Sequence, residues 1–356
     1  MTNMTNLHTK IAIQHVTVFD GKQLQGDKTV AFENGLIVPD TSGAETIIDA
    51  HGAFLFPGLI DCHAHVHAAD DLFLMAQHGV TTCLDMGTKD LTLFQGLRGG
   101  VGNCDIRSAG IPAMPPGSRL TSKPGFPRRL IVAGPEDAKR FVADRISDGA
   151  DYIKVMLEAE GPDQATVDAV VAEAHAQERL VIAHATTCET VEKAVEAKVD
   201  VATHVPQDKP LSDESVTKIK AAGTVFVLTL VKMVATAAKE SKLDYAHSKS
   251  SAISIRQAGV TILAGTDANK HASGAGKVSY GDSMWEELRL LVEVGLSPLE
   301  ALQSATSLPA HFFGLGDRGV IELGKRADLI LLSKDPLQDI GNITSIQRVW
   351  CGGVEV

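Results

Sequence analysis

The sequence contains few cysteines and aromatic residues and no excess of basic charge, and these shortages exclude several classes of protein. Aromatic residues make up 4% of the 356 residues, and the cysteines number five, an odd count that argues against a disulfide framework. Their wide spacing also argues against a cysteine-type zinc site, so we expect reduced core residues. The cysteines are Cys62, Cys83, Cys104, Cys188 and Cys351.

Charge and hydropathy restrict the partners of the chain. Acidic residues outnumber basic ones by 44 to 33, and the net charge of −11 disfavours binding to a nucleic acid or an anionic membrane surface. No apolar run approaches the roughly 18 residues of a membrane-spanning helix. Residues 1–10 are polar and lack the apolar segment of a signal peptide. The sequence therefore predicts a cytoplasmic protein with no nucleic-acid or membrane partner, and a homo-oligomer is left open.

Both ends of the sequence have β character. Short apolar segments near the N-terminus are separated by the turn dipeptides Asp20-Gly21 and Asn34-Gly35, and Gly352-Gly353 separates two similar segments near the C-terminus. We therefore predict a small β-sandwich domain built from both termini, residues 1–56 plus 319–356. The remaining residues, 57–318, match the size of a barrel of about 250 residues.

The central region alternates apolar runs with helical patterns, which is typical of β/α units and a parallel sheet. Capping signals such as Thr186-x-x-Glu189 and Ser297-Pro298-Leu299-Glu300 mark helix starts. Eight candidate strands in this region predict an α/β fold with a (β/α)8 TIM barrel. They are Leu59–His63, Val80–Asp85, Ile106–Ala109, Tyr152–Met156, Leu180–His184, Val199–His204, Thr224–Leu230 and Val260–Asp267.

Histidines, a lysine and an aspartate fall at or near the ends of these candidate strands. His63 and His65 are two residues apart, so on a strand they point to the same face and can bind one metal ion. The active site of such a barrel lies at the C-terminal ends of its strands, and imidazole and carboxylate ligands suit Zn²⁺. Burial of the lysine would favour its uncharged amine, which can react with CO₂ to give a carbamate. The other residues of this set are Lys154, His184, His204 and Asp267.

These residues lie in motifs that resemble the amidohydrolase superfamily, within its binuclear metal-dependent branch. The subgroup with the most similar motifs contains Xaa-Pro dipeptidase-like carboxypeptidases, imidazolonepropionase and ochratoxin-type amidases. The resemblance covers nearly the whole chain and includes C-terminal segments such as Leu299-Glu300-Ala301-Leu302. The motifs of the central region are Pro57-Gly58-Leu59-Ile60-Asp61-x-His63-x-His65, Ile153-Lys154-Val155-Met156, Ala183-His184-Ala185, Thr203-His204 and Gly265-Thr266-Asp267-Ala268.

The resemblance implies a site for two divalent cations, expected to be Zn²⁺, and hydrolysis of an amide bond in a peptide-like or small-molecule carboxamide. One cation is implied to be held by His63, His65 and Asp267, and the other by His184 and His204. A carboxylated Lys154 and a hydroxide are implied to bridge the two cations. Asp267 is implied to take the proton of the hydroxide and to deliver it to the leaving nitrogen. Lys270 and His271 follow Asp267 in the sequence and are candidate substrate contacts.

Two departures from the subgroup leave the substrate and the oxyanion-stabilising residue open. Gly125-Phe126-Pro127 lacks the histidine that relatives often carry in this loop, and residues 229–233 lack their tyrosine. Three alternatives therefore remain. They are a mononuclear deaminase or cyclic-amidine hydrolase, a lactone hydrolase on the same fold, and a non-catalytic scaffold. The deaminase type carries a His-x-x-Glu element near the sixth strand, and Thr203-His204-Val205-Pro206-Gln207 has no such glutamate.

Overall fold

A computed structural model of the chain describes residues 9–88, 91–118, 121–124, 126–158, 161–270 and 276–356. The strands of the described residues are β1 Ile11–Phe19, β2 Leu24–Glu33, β3 Leu36–Val38, β4 Thr46–Asp49, β5 Phe54–Pro57, β6 Leu59–Ala64, β7 Val80–Asp85, β8 Asp105–Ser108, β9 Ile153–Leu157, β10 Val181–Ala185, β11 Val201–Thr203, β12 Val225–Val227, β13 Ile262–Leu263, β14 Leu329–Leu332, β15 Ile346–Cys351 and β16 Val354–Glu355. The α-helices are α1 Ala69–Gln77, α2 Leu91–Leu97, α3 Ala138–Ser147, α4 Gln164–Ala176, α5 Cys188–Glu196, α6 Asp213–Ala222, α7 Leu230–Ala237, α8 Tyr245–Gln257, α9 Asp282–Glu293, α10 Pro298–Ser304 and α11 Ser307–Phe312.

The two termini of the chain contribute strands to one mixed sheet. Its strand order is β16-β15-β14-β5-β1-β2-β3, and β4 pairs with β1. The antiparallel pairing of Leu331 with Leu55 joins the C-terminal strands to the N-terminal ones. Trp350, Phe32 and Ile13 are buried in the apolar core on this sheet. The described strands thus form a single hydrogen-bonded sheet from both termini, and its arrangement as a sandwich stays a prediction.

The central region forms two parallel sheets, β6-β7-β8 and β13-β12-β11-β10-β9. Each of the eight candidate strands predicted from the sequence overlaps one strand of these sheets. The α/β class with parallel strands is therefore confirmed. The last three strands are shorter than predicted because the chain turns at His204, Thr229 and Asp267, whose φ angles are 78°, 48° and 54°. Positive φ is incompatible with an extended strand.

The two parallel sheets contact each other at both edges. A parallel bridge pairs Ala64, at the end of β6, with Ala268, beyond β13. A second parallel bridge pairs Ala113, beyond β8, with Val155 in β9. Buried apolar side chains between the strands, such as Ile182, belong to the same core cluster as strand residues of both sheets. The C-terminal ends of the parallel strands consequently meet around one region of the molecule.

Helix starts follow local capping chemistry, with one difference from the prediction. Ser297 caps α10 as predicted, since its hydroxyl accepts from the Glu300 amide at 3.2 Å and the Glu300 carboxylate accepts from the Ser297 amide at 2.7 Å. The predicted box starting at Thr186 is wrong by one residue. Thr187 caps α5 instead, and its hydroxyl accepts from the Thr190 amide at 3.2 Å. A threonine serves as the third residue of this box in place of a glutamate.

Two further features of the described residues concern the cysteines and the hydrophobicity of the helices. All five cysteines are free and buried, which agrees with reduced core residues. Within the described ranges, no helix combines the length and the hydrophobicity needed to cross a bilayer.

Candidate metal centre

Five of the six candidate ligands lie at or just beyond the C-terminal ends of the parallel strands, and the sixth, Lys154, is the second residue of β9. His63 is the penultimate residue of β6 and His65 follows this strand, while Lys154 and His184 lie within β9 and β10. His204 follows β11, and Asp267 lies beyond β13. This placement arises because every parallel strand runs toward the same edge of its sheet, so residues at the strand ends converge.

Asp267 is the carboxylate around which two of the histidines gather. Its Oδ1 lies 3.3 Å from Nε2 of His63 and 3.0 Å from Nε2 of His65. The Asp267 backbone amide donates to the His63 carbonyl oxygen at 2.7 Å, which fixes the loop end against β6. One carboxylate oxygen thus faces two imidazole nitrogens, an arrangement in which all three atoms can turn toward one cation.

The four imidazoles form a continuous series across the strand ends. The ring centroids of His63 and His65 are 5.5 Å apart, and those of His63 and His204 are 4.9 Å apart. His184 extends the series, with its ring centroid 4.5 Å from that of His204. The structure therefore brings the four predicted histidines together in the order His65, His63, His204 and His184.

Two buried imidazole nitrogens lack hydrogen-bond partners among the described residues. These atoms are Nδ1 of His63 and Nε2 of His204. Nδ1 of His204 lies 2.7 Å from the hydroxyl of Thr229, so a neutral ring that donates from Nδ1 presents its lone pair on Nε2. A buried polar atom without a partner costs about 1–3 kcal/mol, and a cation bound at Nε2 of His204 would remove this cost for that atom.

The chemistry of this donor set fits a divalent cation. One ligand atom each from His63, His204 and Asp267 lies within 4.8 Å of the others. Burial, with a smaller contribution from the charge of Lys154, lowers the pKa of His63 to about 3. Burial likewise lowers the pKa of His184 to about 3 and that of His204 well below its usual value. These imidazoles are therefore neutral at pH 7, the form that binds metals.

Lys154 is buried beside the histidines in an environment that favours its neutral amine. Burial lowers its pKa from 10.5 to about 7. Its Nζ donates to the hydroxyl of Thr203 at 2.9 Å, and that hydroxyl donates to the Ala183 carbonyl oxygen at 3.1 Å. A substantial fraction of the amine is thus unprotonated near neutral pH, which is the state that can react with CO₂.

Asp267 is ionised even though it is buried. Burial raises its pKa, but the hydrogen bonds from His63 and His65 and the charge of His65 act in the opposite direction and place the pKa well below its usual value. For His65, burial lowers the pKa, whereas the bond to Asp267 raises it and prevails. The two shifts describe one interaction, a carboxylate held by two imidazoles.

Residues that sequence reasoning missed hold the strand ends in place. Asp61 accepts from the amides of His63 and Thr266 and from the Thr266 hydroxyl, at 3.0, 3.0 and 2.6 Å. Tyr280 donates its hydroxyl to the His65 carbonyl oxygen at 2.6 Å. Asp61 stands inside the first motif, but Thr266 is 205 residues away, so the pairing carries no local signal.

Another residue that the sequence did not predict lies next to Asp267. Nζ of Lys232 is 3.2 Å from Oδ2 of Asp267. In the sequence, the segment around Lys232 lacks the tyrosine of related proteins, and the signal for this position is a lysine close to the end of the seventh strand. Of the predicted substrate contacts, Lys270 pairs with the buried Asp71, with Nζ 2.5 Å from Oδ1. Its substrate role remains a prediction, and His271 lies outside the described residues.

The chain is similar to known proteins over most of its length. The sequence matches the Amidohydrolase family over residues 54–356. An ochratoxinase of Aspergillus niger is 27% identical over 377 aligned residues, covering 84% of this chain and 75% of that protein. Adenine deaminase 2 of Latilactobacillus sakei subsp. sakei is 22% identical over 89% of this chain and 53% of its own length, so the chain spans about half of that relative.

A similar architecture is found among solved structures. A prolidase in complex with N-methylphosphonate-L-proline is 25% identical, with a TM-score of 0.80 over 98% of this chain and 99% of that one. The family match begins before His63 and includes every candidate ligand. The resemblance inferred from the sequence motifs is confirmed. The chain therefore belongs to the Amidohydrolase family and is a hydrolase of carbon–nitrogen bonds.

Proposed function

We propose that the protein is a binuclear metal-dependent hydrolase of amide bonds in peptide-like or other small carboxamides, with Zn²⁺ as the expected ion. The observation that carries this proposal is the meeting of neutral imidazoles, an ionised Asp267 and a buried Lys154 at one set of strand ends. Neutral imidazoles and a carboxylate suit one cation, and a carbamate on Lys154 would supply the bridging anion for a second.

We infer that the eight parallel strands form a closed TIM barrel. The bridges Ala64–Ala268 and Ala113–Val155 support closure because they join the two sheets at both edges. The similarity in fold to the prolidase supports the same inference. The barrel would comprise residues 57–318, and residues 1–56 plus 319–356 would form the β-sandwich domain.

The ligands divide into two groups in this proposal. His63, His65 and Asp267 would hold one cation, and His184 and His204 would hold the other, with a carboxylated Lys154 between them. When bound, the cations supply Lewis acidity and an activated water at neutral pH. The chain itself contributes the orientation of its ligands: Thr229 orients the ring of His204 through Nδ1, and Thr203 positions Nζ of Lys154.

Asp267 is the proposed proton carrier. Its Oδ1 faces His63 and His65, whereas its Oδ2 faces away from these two rings, toward Lys232. Oδ2 can therefore hold a proton taken from the attacking water and release it to the nitrogen of the leaving group. The proposal treats Asp267 as general base and then general acid.

The relatives favour an amide over the alternatives. An ochratoxinase and a prolidase are among them, and the prolidase was solved with a ligand that contains proline. A deaminase remains the second candidate because adenine deaminases match most of this chain. The buried Lys154 beside Thr203 favours the bridged pair of cations over a mononuclear deaminase. A lactone hydrolase on the same fold is a third outcome, and the scaffold alternative loses support because the family match and the relatives point to an enzyme.

Metal content and substrate range test this proposal together. Protein produced with zinc and bicarbonate should contain close to two metal ions per chain by elemental analysis. It should hydrolyse members of a panel of N-acyl amino acids, dipeptides and aryl amides. The variant His184→Ala should lose about half of the metal, whereas His311→Ala, at an exposed position on α11, should retain it. A single metal per chain together with ammonia release from adenine would instead support the deaminase.

A further inference from the structure

Lys232 is an ammonium held inside the proposed site. Its side chain is 13% exposed, and its Nζ lies 3.2 Å from Oδ2 of Asp267. The same nitrogen donates to the Gly276 carbonyl oxygen at 3.2 Å. A charged amine in such a position loses most of its hydration, so it is tolerated only where an anion faces it.

The backbone around Lys232 is fixed by contacts that begin helix α7. The Lys232 amide donates to the Thr229 carbonyl oxygen at 2.9 Å, and the Val231 amide donates to Oε2 of Glu287 at 2.8 Å. Glu287 is itself completely buried on α9. Lys232 therefore extends from an anchored helix start toward the mouth of the site.

With two divalent cations bound, the charges of the proposed site leave Lys232 without a sufficient counter-ion. An imidazole carries no negative charge in either protonation state, so the surrounding His63, His184 and His204 cannot act as counter-ions. Two divalent cations carry more positive charge than Asp267, a carboxylated Lys154 and a hydroxide neutralise together. Asp267, the carboxylate that Lys232 faces, would also be shared with a cation. An anionic group on the substrate would balance this excess.

The position of Lys232 indicates which half of the substrate carries that anion. In the proposed mechanism, Oδ2 of Asp267 delivers a proton to the leaving nitrogen, so the amine half of the substrate lies beside Oδ2. Lys232 lies on the same side of the carboxylate, at 3.2 Å from Oδ2. In an α-amino acid the carboxylate is separated from the nitrogen by a single carbon atom, which places it within reach of this ammonium.

We propose that Lys232 is a specificity-determining residue that binds the α-carboxylate of the amine half of the substrate. This inference rests on the proposed amide hydrolysis and narrows it to N-acyl amino acids and dipeptides. Removal of one charge-assisted hydrogen bond should weaken recognition of the carboxylate by about 10- to 100-fold.

Binding of the amine product tests this role without turnover. L-Leucine, L-phenylalanine and L-proline are titrated by calorimetry into zinc-loaded and metal-stripped protein, each alongside its carboxamide. At least one amino acid should bind about 10- to 100-fold more tightly than its carboxamide. Lys232→Met should abolish this preference and Lys232→Arg should retain most of it. Lys239→Met, an exposed position just after α7, removes the same charge and should leave the preference unchanged. Equal binding of every amino acid and its carboxamide by the unmodified protein, or no binding of either, overturns the proposal.

Kinetics separate this role from a direct effect on the reacting carbonyl. For N-acyl amino acids, Lys232→Met should raise KM by about 10- to 100-fold with little change in kcat, and it should affect the matching N-acyl amino acid amides much less. An equal loss of kcat for both compounds, with KM unchanged, contradicts carboxylate binding. If no amide is hydrolysed while the carboxylate preference still depends on Lys232, the proposed function fails and the binding role stands. If amides are hydrolysed without regard to the carboxylate, only the inference about Lys232 fails.

Discussion

Thr229 and His204 are joined by a 2.7 Å hydrogen bond between a hydroxyl and Nδ1, and both residues have positive φ, 48° and 78°. Positive φ is uncommon for residues other than glycine, and for the β-branched Thr229 it is a pronounced outlier. Such a conformation costs on the order of 1–3 kcal/mol and persists where the surrounding structure enforces it. The strained backbone positions the hydroxyl that is hydrogen-bonded to Nδ1 of His204, so this pair links local strain to the proposed metal site.

Replacement of Thr229 tests this link. Thr229→Val keeps the β-branched shape and the backbone preference but removes the acceptor for Nδ1 of His204. We expect zinc affinity to fall by about 10- to 100-fold, the usual effect of losing a residue that orients a metal ligand. Competition with a chromophoric chelator measures this affinity. Thr217→Val, at an exposed position on α6, is the control, and an unchanged affinity in Thr229→Val would show that His204 is oriented by other contacts.

Replacement of Asp267 tests the proton carrier. Asparagine tolerates the φ of 54° at this position and has nearly the same shape as aspartate, so Asp267→Asn should fold normally. Without a carboxylate to accept and return the proton, kcat should fall by about 10²- to 10⁴-fold. Metal analysis and circular dichroism on the same preparation show whether the site and fold persist. Activity equal to that of the unmodified protein, with metal retained, would remove Asp267 from the proton-transfer role.

Much of this site could be predicted because its signals are local. The parallel strands are buried on both faces, so each reads as a continuous apolar run such as Val80–Asp85. The pair His63 and His65 shares a strand face by simple alternation, and the strand ends of a parallel fold converge by geometry. These rules predicted the approximate position of every central strand and the convergence of the candidate ligands.

The residues that were missed depend on contacts between distant parts of the chain. Glu287 accepts from the Val231 amide, 56 residues earlier, and Asp61 accepts from Thr266, 205 residues later. No local pattern encodes such a pairing, because each partner alone is an ordinary polar residue. The positive φ at Thr229 is likewise imposed by tertiary contacts, and β propensity alone predicts an extended residue there. Local rules therefore predict the candidate ligands, whereas the residues that orient them become visible only in the structure.

Lys154 gives a pH dependence to the stability of metal-free protein. Its pKa is lowered by burial from 10.5 to about 7, so between these values the unfolded chain binds more protons than the folded one. Stability should therefore rise with pH from about 7 to 10.5, by up to about 1.4 kcal/mol per pH unit from this group, and be lost again as the pH falls. Urea unfolding in bicarbonate-free buffer measures this slope. Lys154→Met should remove the contribution and Lys239→Met should preserve it, while an identical slope in Lys154→Met would show that burial does not perturb this amine.

Lys154 also has a testable role in metal binding. Lys154→Ala should lose the bridging anion and about half of the metal, because the amine that forms the carbamate is absent. Acetate or propionate can occupy the space left by the side chain, so added carboxylate should restore part of the metal content and activity. Elemental analysis after dialysis, with and without propionate, measures the effect. Two metals per chain in Lys154→Ala without any additive would exclude a bridging carbamate.

Glu287 is the buried carboxyl that holds the start of α7. Its effect on the pH dependence of stability is opposite in sign to that of Lys154. Burial raises its pKa from 4.5 to about 8, and the amides of Val231 and Leu230 oppose that shift only in part. Between these two values the folded protein binds more protons than the unfolded chain, so stability should fall as the pH rises from 4.5 to 8. Glu287→Gln keeps an oxygen for the Val231 amide and cannot ionise. The free energy of unfolding of this variant, relative to that of the unmodified protein, should therefore increase as the pH rises across this range.

Denaturant unfolding of Glu287→Gln at several pH values gives the difference in the free energy of unfolding directly. Glu286→Gln, at the neighbouring half-buried position, controls for loss of a negative charge on α9. Glu287→Ala separates ionisation from anchoring, since it removes the acceptor of the Val231 amide and should also weaken the carboxylate preference that depends on Lys232. A difference in the free energy of unfolding that stays constant from pH 5 to 8 would show that the carboxyl is ionised throughout. Groups other than the α7 amides would then offset the cost of its burial.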